Sequence, residues 1–373
     1  MLLPKSKNRL QPRGRPYRDI EAGEQVGDAF GGAEYSVVDI SISADGSLAV
    51  TANSDGTVRI WSLETSMQDA GQVLRPVFGV ASVAISADGR RAVFGGGGGD
   101  VWIWDLARDE QAGNAFEGNG EEIFSVDISA DGSRVLFVDS DGIFWVWNPD
   151  SGTPSSYEIK GDGGAPCDVA ISADGSRAVL GTSEGALLVW DLDADKAVHG
   201  ILGAHDGSAC DVVISADGTR ALTGGEDGSV RVWDLDLRTE VGDALVEYDA
   251  PVAVLAMSAD GSRAVSRSRF TGLDVWDLQA RVKEHALPDV DDFMFRDIAV
   301  SENGTRAISG GVDRKARVWD LETGRQLGAA LEGHERGVET VALSADGSRA
   351  LTNDGFPRIW SRETGRQLGA AIS

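Results

Sequence analysis

Hydrophobic and polar positions alternate over short stretches of the chain, and tight-turn residues separate these stretches. The unit from Cys210 to Leu245 shows the pattern most clearly. Its alternating segments are Cys210 to Ile214, Arg220 to Thr223, Ser229 to Leu235 and Val241 to Leu245. A period of two, bounded by Gly- and Asp-rich turns, predicts four β-strands joined as antiparallel hairpins. No segment sustains the period of an amphipathic helix, so we expect an all-β fold.

The four-strand unit recurs every 43 residues. The serine that opens each "SADG" turn, or a close variant of it, marks the period: Ser43, Ser86, Ser129, Ser172, Ser215, Ser258, Ser301 and Ser344. Three residues before each serine stands a large aliphatic side chain, and two residues before it the side chain is usually small. Both faces of the first strand therefore carry packing residues. Sheets stacked face to face around an axis bury both faces, whereas a lone sheet leaves one in solvent.

A tryptophan ends the third strand of every unit. These residues are Trp61, Trp104, Trp147, Trp190, Trp233, Trp276, Trp319 and Trp360. Five of them are followed by Asp, and Gly333-His334 precedes the last unit. Units of this length with Trp-Asp near the end and Gly-His near the start resemble the WD-repeat β-propeller family. The resemblance covers about residues 20–373 and implies a single eight-bladed propeller of four-stranded antiparallel blades.

The resemblance also implies a non-enzymatic scaffold that presents one propeller face to a protein partner. The alternative is a propeller that binds a small ligand or glycan in its channel or in blade pockets. Trp102 and Trp145 share one position in adjacent units, and they either pack inside the blades or form an aromatic binding wall. We expect no cofactor and no metal site.

The repeat pattern extends beyond the front of the first unit. Arg18 to Phe30 aligns with Trp319 to Leu331, so residues 1–19 are interpreted as a basic arm with the remnant of a ninth repeat. The chain thus offers two segments for the outer strand of blade eight. We predict that Glu24 to Phe30 takes this position rather than Arg366 to Ile372.

In the WD-repeat family a buried hydrogen-bond network joins a turn Asp, a His, a strand Ser or Thr and the Trp indole. The matching residues are His205, Thr223, Asp227 and Trp233 in unit five, and His334, Thr352, Asp354 and Trp360 in unit eight. Because the set recurs at equivalent positions, a structural role is favoured over nucleophilic catalysis. Units two to four lack both the His and the hydroxyl, a joint loss expected to cost little.

The residue five before each serine varies in chemical type, whereas the residues three and one before the serine are always hydrophobic. It is Val38, Ala81, Phe124, Cys167, Cys210, Ala253, Arg296 or Glu339. In the WD-repeat family this position lies near the channel mouth on the face opposite the "SADG" turns, where partners often bind. We therefore predict a partner-binding site at Phe124, Cys167, Cys210, Met294, Arg296 and Glu339, with Phe124, Met294, Arg296 and Glu339 exposed around one mouth.

The charge composition of the chain favours some classes of binding partner over others. The net charge is −26, which disfavours nucleic acid and acidic membranes and favours a basic protein partner. The repeated turn Asp places an acidic ring on one face, and six of these Asp residues have an Arg three residues later that is expected to neutralise them partly. No apolar stretch is long enough to span a membrane, and the N-terminus lacks the apolar core of a secretory signal.

The two cysteines, Cys167 and Cys210, occupy equivalent positions in adjacent units. Two free thiols in a reducing compartment are the favoured interpretation, a disulfide is the alternative, and a metal site with His205 is the weakest. We expect a cytoplasmic monomer, and the excess of Arg over Lys hints at a bacterial source.

Overall fold

The computed structural model describes residues 37–63, 73–74, 79–112, 116–118, 120–152, 154–158, 164–194, 196–197, 202–203, 205–209, 211–268, 271–287 and 295–361. These residues form eight antiparallel sheets, so the expected all-β architecture and eight-bladed β-propeller are confirmed. In each blade the first strand of the repeat is innermost, and the sheet then follows chain order outward.

The first four blades contain strands β1 to β17. Blade one has β1 (Val37–Ile42), β2 (Leu48–Asn53), β3 (Val58–Ser62) and β4 (Val73–Leu74). Blade two has β5 (Val80–Ile85), β6 (Arg91–Gly96), β7 (Val101–Asp105) and β8 (Glu110–Gln111). Blade three has β9 (Ile123–Ile128), β10 (Val135–Asp139), β11 (Ile143–Trp147) and β12 (Ser155–Glu158). Blade four has β13 (Pro166–Ile171), β14 (Arg177–Thr182), β15 (Ala186–Asp191), β16 (Lys196–Ala197) and β17 (Leu202–Gly203).

The last four blades contain strands β18 to β33. Blade five has β18 (Asp211–Ile214), β19 (Arg220–Gly224), β20 (Ser229–Asp234), β21 (Thr239–Glu240) and β22 (Val246–Glu247). Blade six has β23 (Val252–Met257), β24 (Arg263–Ser268), β25 (Leu273–Asp277) and β26 (Val282–Leu287). Blade seven has β27 (Phe295–Val300), β28 (Arg306–Gly311), β29 (Ala316–Asp320) and β30 (Arg325–Gln326). Blade eight has β31 (Thr340–Leu343), β32 (Arg349–Asn353) and β33 (Pro357–Ser361).

The hydrophobic core is divided among the interfaces between adjacent blades, which we call seams. Eight buried clusters each draw residues from two neighbouring blades. The cluster between blades eight and one contains Val37, Ile40, Trp61, Leu351 and Ile359, and it closes the ring. Both segments predicted to compete for the outer strand of blade eight, Glu24 to Phe30 and Arg366 to Ile372, lie outside the described residues.

The "SADGS" sequence builds a tight turn in which each polar side chain has a local partner. In blade one the Ser43 hydroxyl donates to Asp45 Oδ1 over 2.7 Å and accepts the Leu48 N–H over 3.0 Å. Asp45 Oδ1 also accepts the Ser47 N–H, and Gly46 has a φ of 66° that favours glycine. Against the raising effect of burial, these hydrogen bonds hold the pKa of Asp45 below its usual value.

Main-chain hydrogen bonds join these turns into a ring. The Ala44 N–H donates to the Ala87 carbonyl, and equivalent bonds continue from blade to blade until Ala345 donates to Ala44 over 2.9 Å. Eight such bonds, of 2.7 to 3.4 Å, cross the eight seams. All the turns therefore lie on one face of the propeller, as expected, and we call this the turn face.

An arginine at the start of the second strand, or directly before it in blade three, reaches across the seam to the next blade at seven of the seams. These turn arginines are Arg91, Arg134, Arg177, Arg220, Arg263, Arg306 and Arg349. Arg177, for example, donates to the Gly218 carbonyl of the next turn over 2.8 Å and pairs with Asp236 over 2.6 Å. Arg349 closes the circle by donating to the Gly46 carbonyl over 2.6 Å. The hydrogen-bond partners of these guanidinium groups lie in the following blade, whereas the turn Asp of the same blade acts at a distance, as Asp88 does on the pKa of Arg91.

Candidate functional site on the mouth face

The first residues of the innermost strands surround the channel at the end opposite the turn face, and we call this end the mouth face. The variable position lies here in every blade where it is described. Val38 is 43% exposed and Phe124 is 38% exposed, and both rank among the large hydrophobic side chains that face solvent. By contrast, the aliphatic residue two positions further along the strand is buried in all eight blades.

Arg296 and Glu339 form a surface ion pair across the seam between blades seven and eight. The Arg296 Nε lies 3.5 Å from Glu339 Oε2, and about half of each side chain is exposed. The structure thus places Phe124, Arg296 and Glu339 on the mouth face in exposed positions, as predicted. Met294, the fourth residue of that prediction, lies outside the described residues.

The favoured interpretation of two free thiols was wrong for Cys167. No free cysteine is present among the described residues, and Cys167, which is half-buried beside the mouth, is disulfide-bonded. The sequence contains one other cysteine, Cys210, which lies outside the described residues. The pattern of cysteines alone favoured thiols because it carries no information on how closely neighbouring innermost strands approach.

In blade five the predicted network forms one chain of hydrogen bonds. His205 Nδ1 lies 3.0 Å from Asp227 Oδ1, and because a carboxylate only accepts, we assign the ring proton to Nδ1. His205 Nε2 then accepts the Thr223 hydroxyl over 2.7 Å, and Thr223 Oγ1 accepts the Trp233 indole N–H over 3.0 Å. Burial, only partly opposed by Asp227, lowers the pKa of His205, so the ring is neutral at pH 7.

In blade eight the same four residue types are arranged differently. His334 Nε2 and the Trp360 indole still meet at the Thr352 hydroxyl, each over 2.8 Å. Asp354, however, pairs with the buried Arg358 and accepts the Glu335 N–H, and His334 Nδ1 has no hydrogen-bond partner. Burial and the nearby Arg358 charge lower the pKa of His334 to about 4.

The loss of His and hydroxyl in blades two to four was expected to cost little, and this expectation was wrong for two of the three blades. The indole nitrogens of Trp104 and Trp190 are buried without a hydrogen-bond partner. In blade three, Trp147 avoids this outcome by donating to the Gly152 carbonyl over 2.6 Å. In blades two and four the hydroxyl acceptor is absent but the Trp indole donor is still present. A buried donor without an acceptor lowers stability, because its lost hydrogen bonds to water are not replaced.

The second tryptophans of blades two and three serve packing. Trp145 lies over Phe137 and Phe116 with ring centroids 5.7 and 4.6 Å away, and its indole donates to Asp139 over 3.0 Å. Trp102 packs against the core cluster at the seam between blades one and two. These contacts support internal packing over the alternative of an aromatic binding wall.

Sequence reasoning overlooked one set of residues at the seams. Each of these Asp side chains on an innermost strand accepts a main-chain N–H from the next blade. We call them the seam carboxylates: Asp39, Asp127, Asp168, Asp211 and Asp297. The available signal was an Asp four residues before the repeat serine in four of the eight units. In a single sequence this Asp looks like one polar residue of an alternating strand, so its hydrogen bond to the next blade was not predicted.

The mouth face carries a strongly acidic sector over blades three to five. Exposed acids there lie in the turns and connections next to the channel mouth: Glu122, Asp141, Glu184, Asp206 and Glu226. The turns at 139–143, 182–186 and 224–229 contain no lysine or arginine. Exposed Arg314 and Arg336 lie instead on blades seven and eight, so the charge on this face is unevenly distributed.

The described residues contain no group of three or more His, Cys, Asp or Glu side chains able to hold a metal ion. The same part of the chain contains no helix that is long and apolar enough to cross a membrane.

Comparison with known proteins agrees with this architecture. The WD40 family model (WD domain, G-beta repeat) matches residues 25–62, 197–234 and 279–320. Three stretches of the chain are thus similar to the WD40 repeat, and the eight blades have the architecture of a β-propeller. A crystal structure of the computationally designed Ika8 protein superposes with a TM-score of 0.71 at 20% identity, covering 90% of this chain and 99% of that one, which shows a shared fold. No curated protein sequence matches the chain.

Proposed function

We propose that this propeller is a non-enzymatic module that captures a protein partner on its mouth face. The observation that carries the proposal is the variable position itself. It is at least partly exposed in every blade where it is described and is chemically diverse, whereas the residue two positions further along the strand is aliphatic and buried in all eight blades. WD-repeat propellers commonly serve as interaction scaffolds. Exposed Phe124 supplies the aromatic anchor that protein interfaces favour.

The acidic sector supports a partner with a basic segment. Glu122, Glu184 and Glu226 belong to three adjacent blades and lie beside the same channel mouth as Phe124. Carboxylates arranged without intervening cations raise the local concentration of a basic partner and speed its association. The partner would therefore place lysines or arginines over blades three to five and an apolar group near Phe124.

Capture experiments with matched variants test this proposal. The immobilised chain is exposed to native lysate, and bound proteins are quantified by mass spectrometry. Phe124→Ala and the pair Glu184→Lys and Glu226→Lys should each lower capture of the specific partner by about tenfold or more. As controls, Leu237→Ala removes an exposed apolar side chain and Glu302→Lys reverses one exposed charge on the turn face, and both should leave capture unchanged.

Arg296 and Glu339 provide a second comparison. Arg296→Glu places two acids together and should weaken capture while the melting temperature stays nearly constant, because an exposed pair contributes about 0–1 kcal/mol. Exchanging both charges, with Arg296→Glu and Glu339→Arg together, restores the ion pair but not the original orientation. Equal capture by the wild type and all mouth-face variants would refute the proposal.

A further inference from the structure

Cys167 is the described end of a disulfide at the seam between blades four and five. It lies on β13 of blade four, and the sequence contains one other cysteine, Cys210, directly before β18 of blade five. A bond within the chain therefore joins these two positions, one repeat apart. The two innermost strands run side by side here, because the Val212 N–H donates to Asp168 Oδ2 over 3.1 Å. The disulfide thus crosses the seam at the mouth face.

The turn-face end of the same seam has fastenings that do not depend on the disulfide. The Ala173 N–H donates to the Ala216 carbonyl over 3.0 Å, and Arg177 donates to the Gly218 carbonyl over 2.8 Å. A buried apolar cluster from both blades fills the space between their strands. Breaking the disulfide therefore leaves the fold and the turn-face end of the seam in place, and its effect is confined to the mouth.

Residues 205–209 lie between the mouth-face turns of blades four and five and lead directly into the second cysteine. The His205 N–H donates to the Gly185 carbonyl of blade four over 3.0 Å. On the other side, the Ser208 carbonyl accepts the Glu226 N–H of blade five over 2.9 Å. This segment therefore sets the spacing between the two turns, and the disulfide anchors the end of the segment.

Three exposed acids of the acidic sector depend on this spacing. Glu184 and Glu226 lie on the two turns, and Asp206 lies on the segment between them. Like charges repel, and the turns at 182–186 and 224–229 contain no lysine or arginine to offset the repulsion. A covalent bond at the end of the segment therefore opposes the separation of the three carboxylates.

We propose that this disulfide is a redox-sensitive clamp, which holds the acidic sector compact when oxidised and lets the mouth end of the seam open when a small thiol reduces it. Cys167 is partly exposed, which gives a glutathione-type thiol access to the bond. The reductant thiolate attacks one sulfur, the S–S bond breaks, and the other cysteine leaves as a thiolate. A second reductant thiolate attacks the mixed disulfide and releases the first cysteine. The chain gains two electrons and two protons, and two reductant thiols become one disulfide.

Thiol labelling tests the clamp directly on the folded full chain. In a series of glutathione redox buffers, both cysteines should pass together from unreactive to maleimide-reactive, as measured by mass spectrometry. Peptide mapping of the oxidised form should recover Cys167 linked to Cys210. Absence of that link, or a bond that resists excess reduced glutathione, would overturn the proposal.

Hydrogen exchange locates the change within the seam. Reduction should speed exchange of the Ala209 and Val212 amides, which donate across the mouth end, by about tenfold or more. The Ala173 amide at the turn-face end should keep its rate, and so should the Val83 amide, which donates across a different seam. Cys167→Ser should exchange fast with or without reductant. Equal rates in the oxidised and reduced wild type would show that the bond does not hold the mouth closed.

The consequence for partner capture rests on the proposed function and is measured separately. In lysate without added thiol, Cys167→Ser should capture the basic partner about threefold or more less than the oxidised wild type, because its carboxylates are more widely spaced. Equal capture by the two forms would overturn the link between the clamp and binding. Failure of the oxidised wild type to capture any partner would contradict the proposed function alone, since labelling and exchange test the clamp without a partner.

Discussion

The hydroxyl of Thr223 is the point where the blade-five network can be broken most cleanly. Thr223→Val keeps the shape of the side chain and removes only its hydrogen-bonding oxygen. The change leaves the Trp233 indole N–H without an acceptor and His205 Nε2 without a donor, and both groups are buried. Each unsatisfied buried group costs about 1–3 kcal/mol, so for the two groups we expect a loss of roughly 2–6 kcal/mol in the free energy of unfolding.

Urea denaturation followed by tryptophan fluorescence measures this loss. Thr239→Val makes the same chemical change at an exposed position of the outer strand and should alter stability by less than about 0.5 kcal/mol. Combining Thr223→Val with His205→Phe completes a double-mutant cycle. Because the first change already leaves the imidazole unsatisfied, His205→Phe should cost about 1 kcal/mol or more less in that background than in the wild type.

Two outcomes would refute this reasoning about the network. A Thr223→Val loss below about 0.5 kcal/mol would mean that the stranded groups find other partners or reach water. Strict additivity in the cycle would mean that His205 and Thr223 do not act through their hydrogen bond.

Two further predictions concern the tryptophans and the chain ends. Trp190→Phe removes an unsatisfied indole, so it should cost about 1–2 kcal/mol less than Trp233→Phe in urea unfolding, and equal costs would contradict the assignment of Trp190 as unsatisfied. Deleting residues 1–30 should lower the melting temperature more than deleting residues 364–373, because the first segment is predicted to tie blade eight to blade one. The reverse order would assign the outer strand of that blade to the C-terminal segment.

The number and order of the blades follow from sequence because the repeat is expressed in local chemistry. The turn that begins at Ser43 is specified by Ser, Asp and Gly within four residues, and the same local set recurs at every period, with Asn303 in place of Asp in blade seven. Strand alternation and the Trp position add independent evidence for the same unit. Hydrogen bonds within a turn can therefore be predicted from a single sequence.

Contacts between repeats were harder to predict from sequence. Arg177 was expected to act on its own turn, whereas its partners are 41 and 59 residues further along the chain. Asp168 looked like one polar residue in an alternating strand, although its acceptor role concerns Val212 in the next blade. Asp354 was expected to contact His334 but pairs with Arg358. This choice depends on the direction of the side chains, which residue spacing does not reveal.

The ring of turn-to-turn bonds has a consequence for how such a chain tolerates change. Each seam is bridged by a main-chain donor and acceptor, so substitution of side chains at the turn cannot delete the bond, apart from the entry of proline. Duplication of a repeat would add one more link of the same kind between neighbouring turns. New chain ends introduced in a mouth-face connection, with the present ends joined, should therefore leave all eight links in place, which makes this propeller a suitable scaffold for circular permutation.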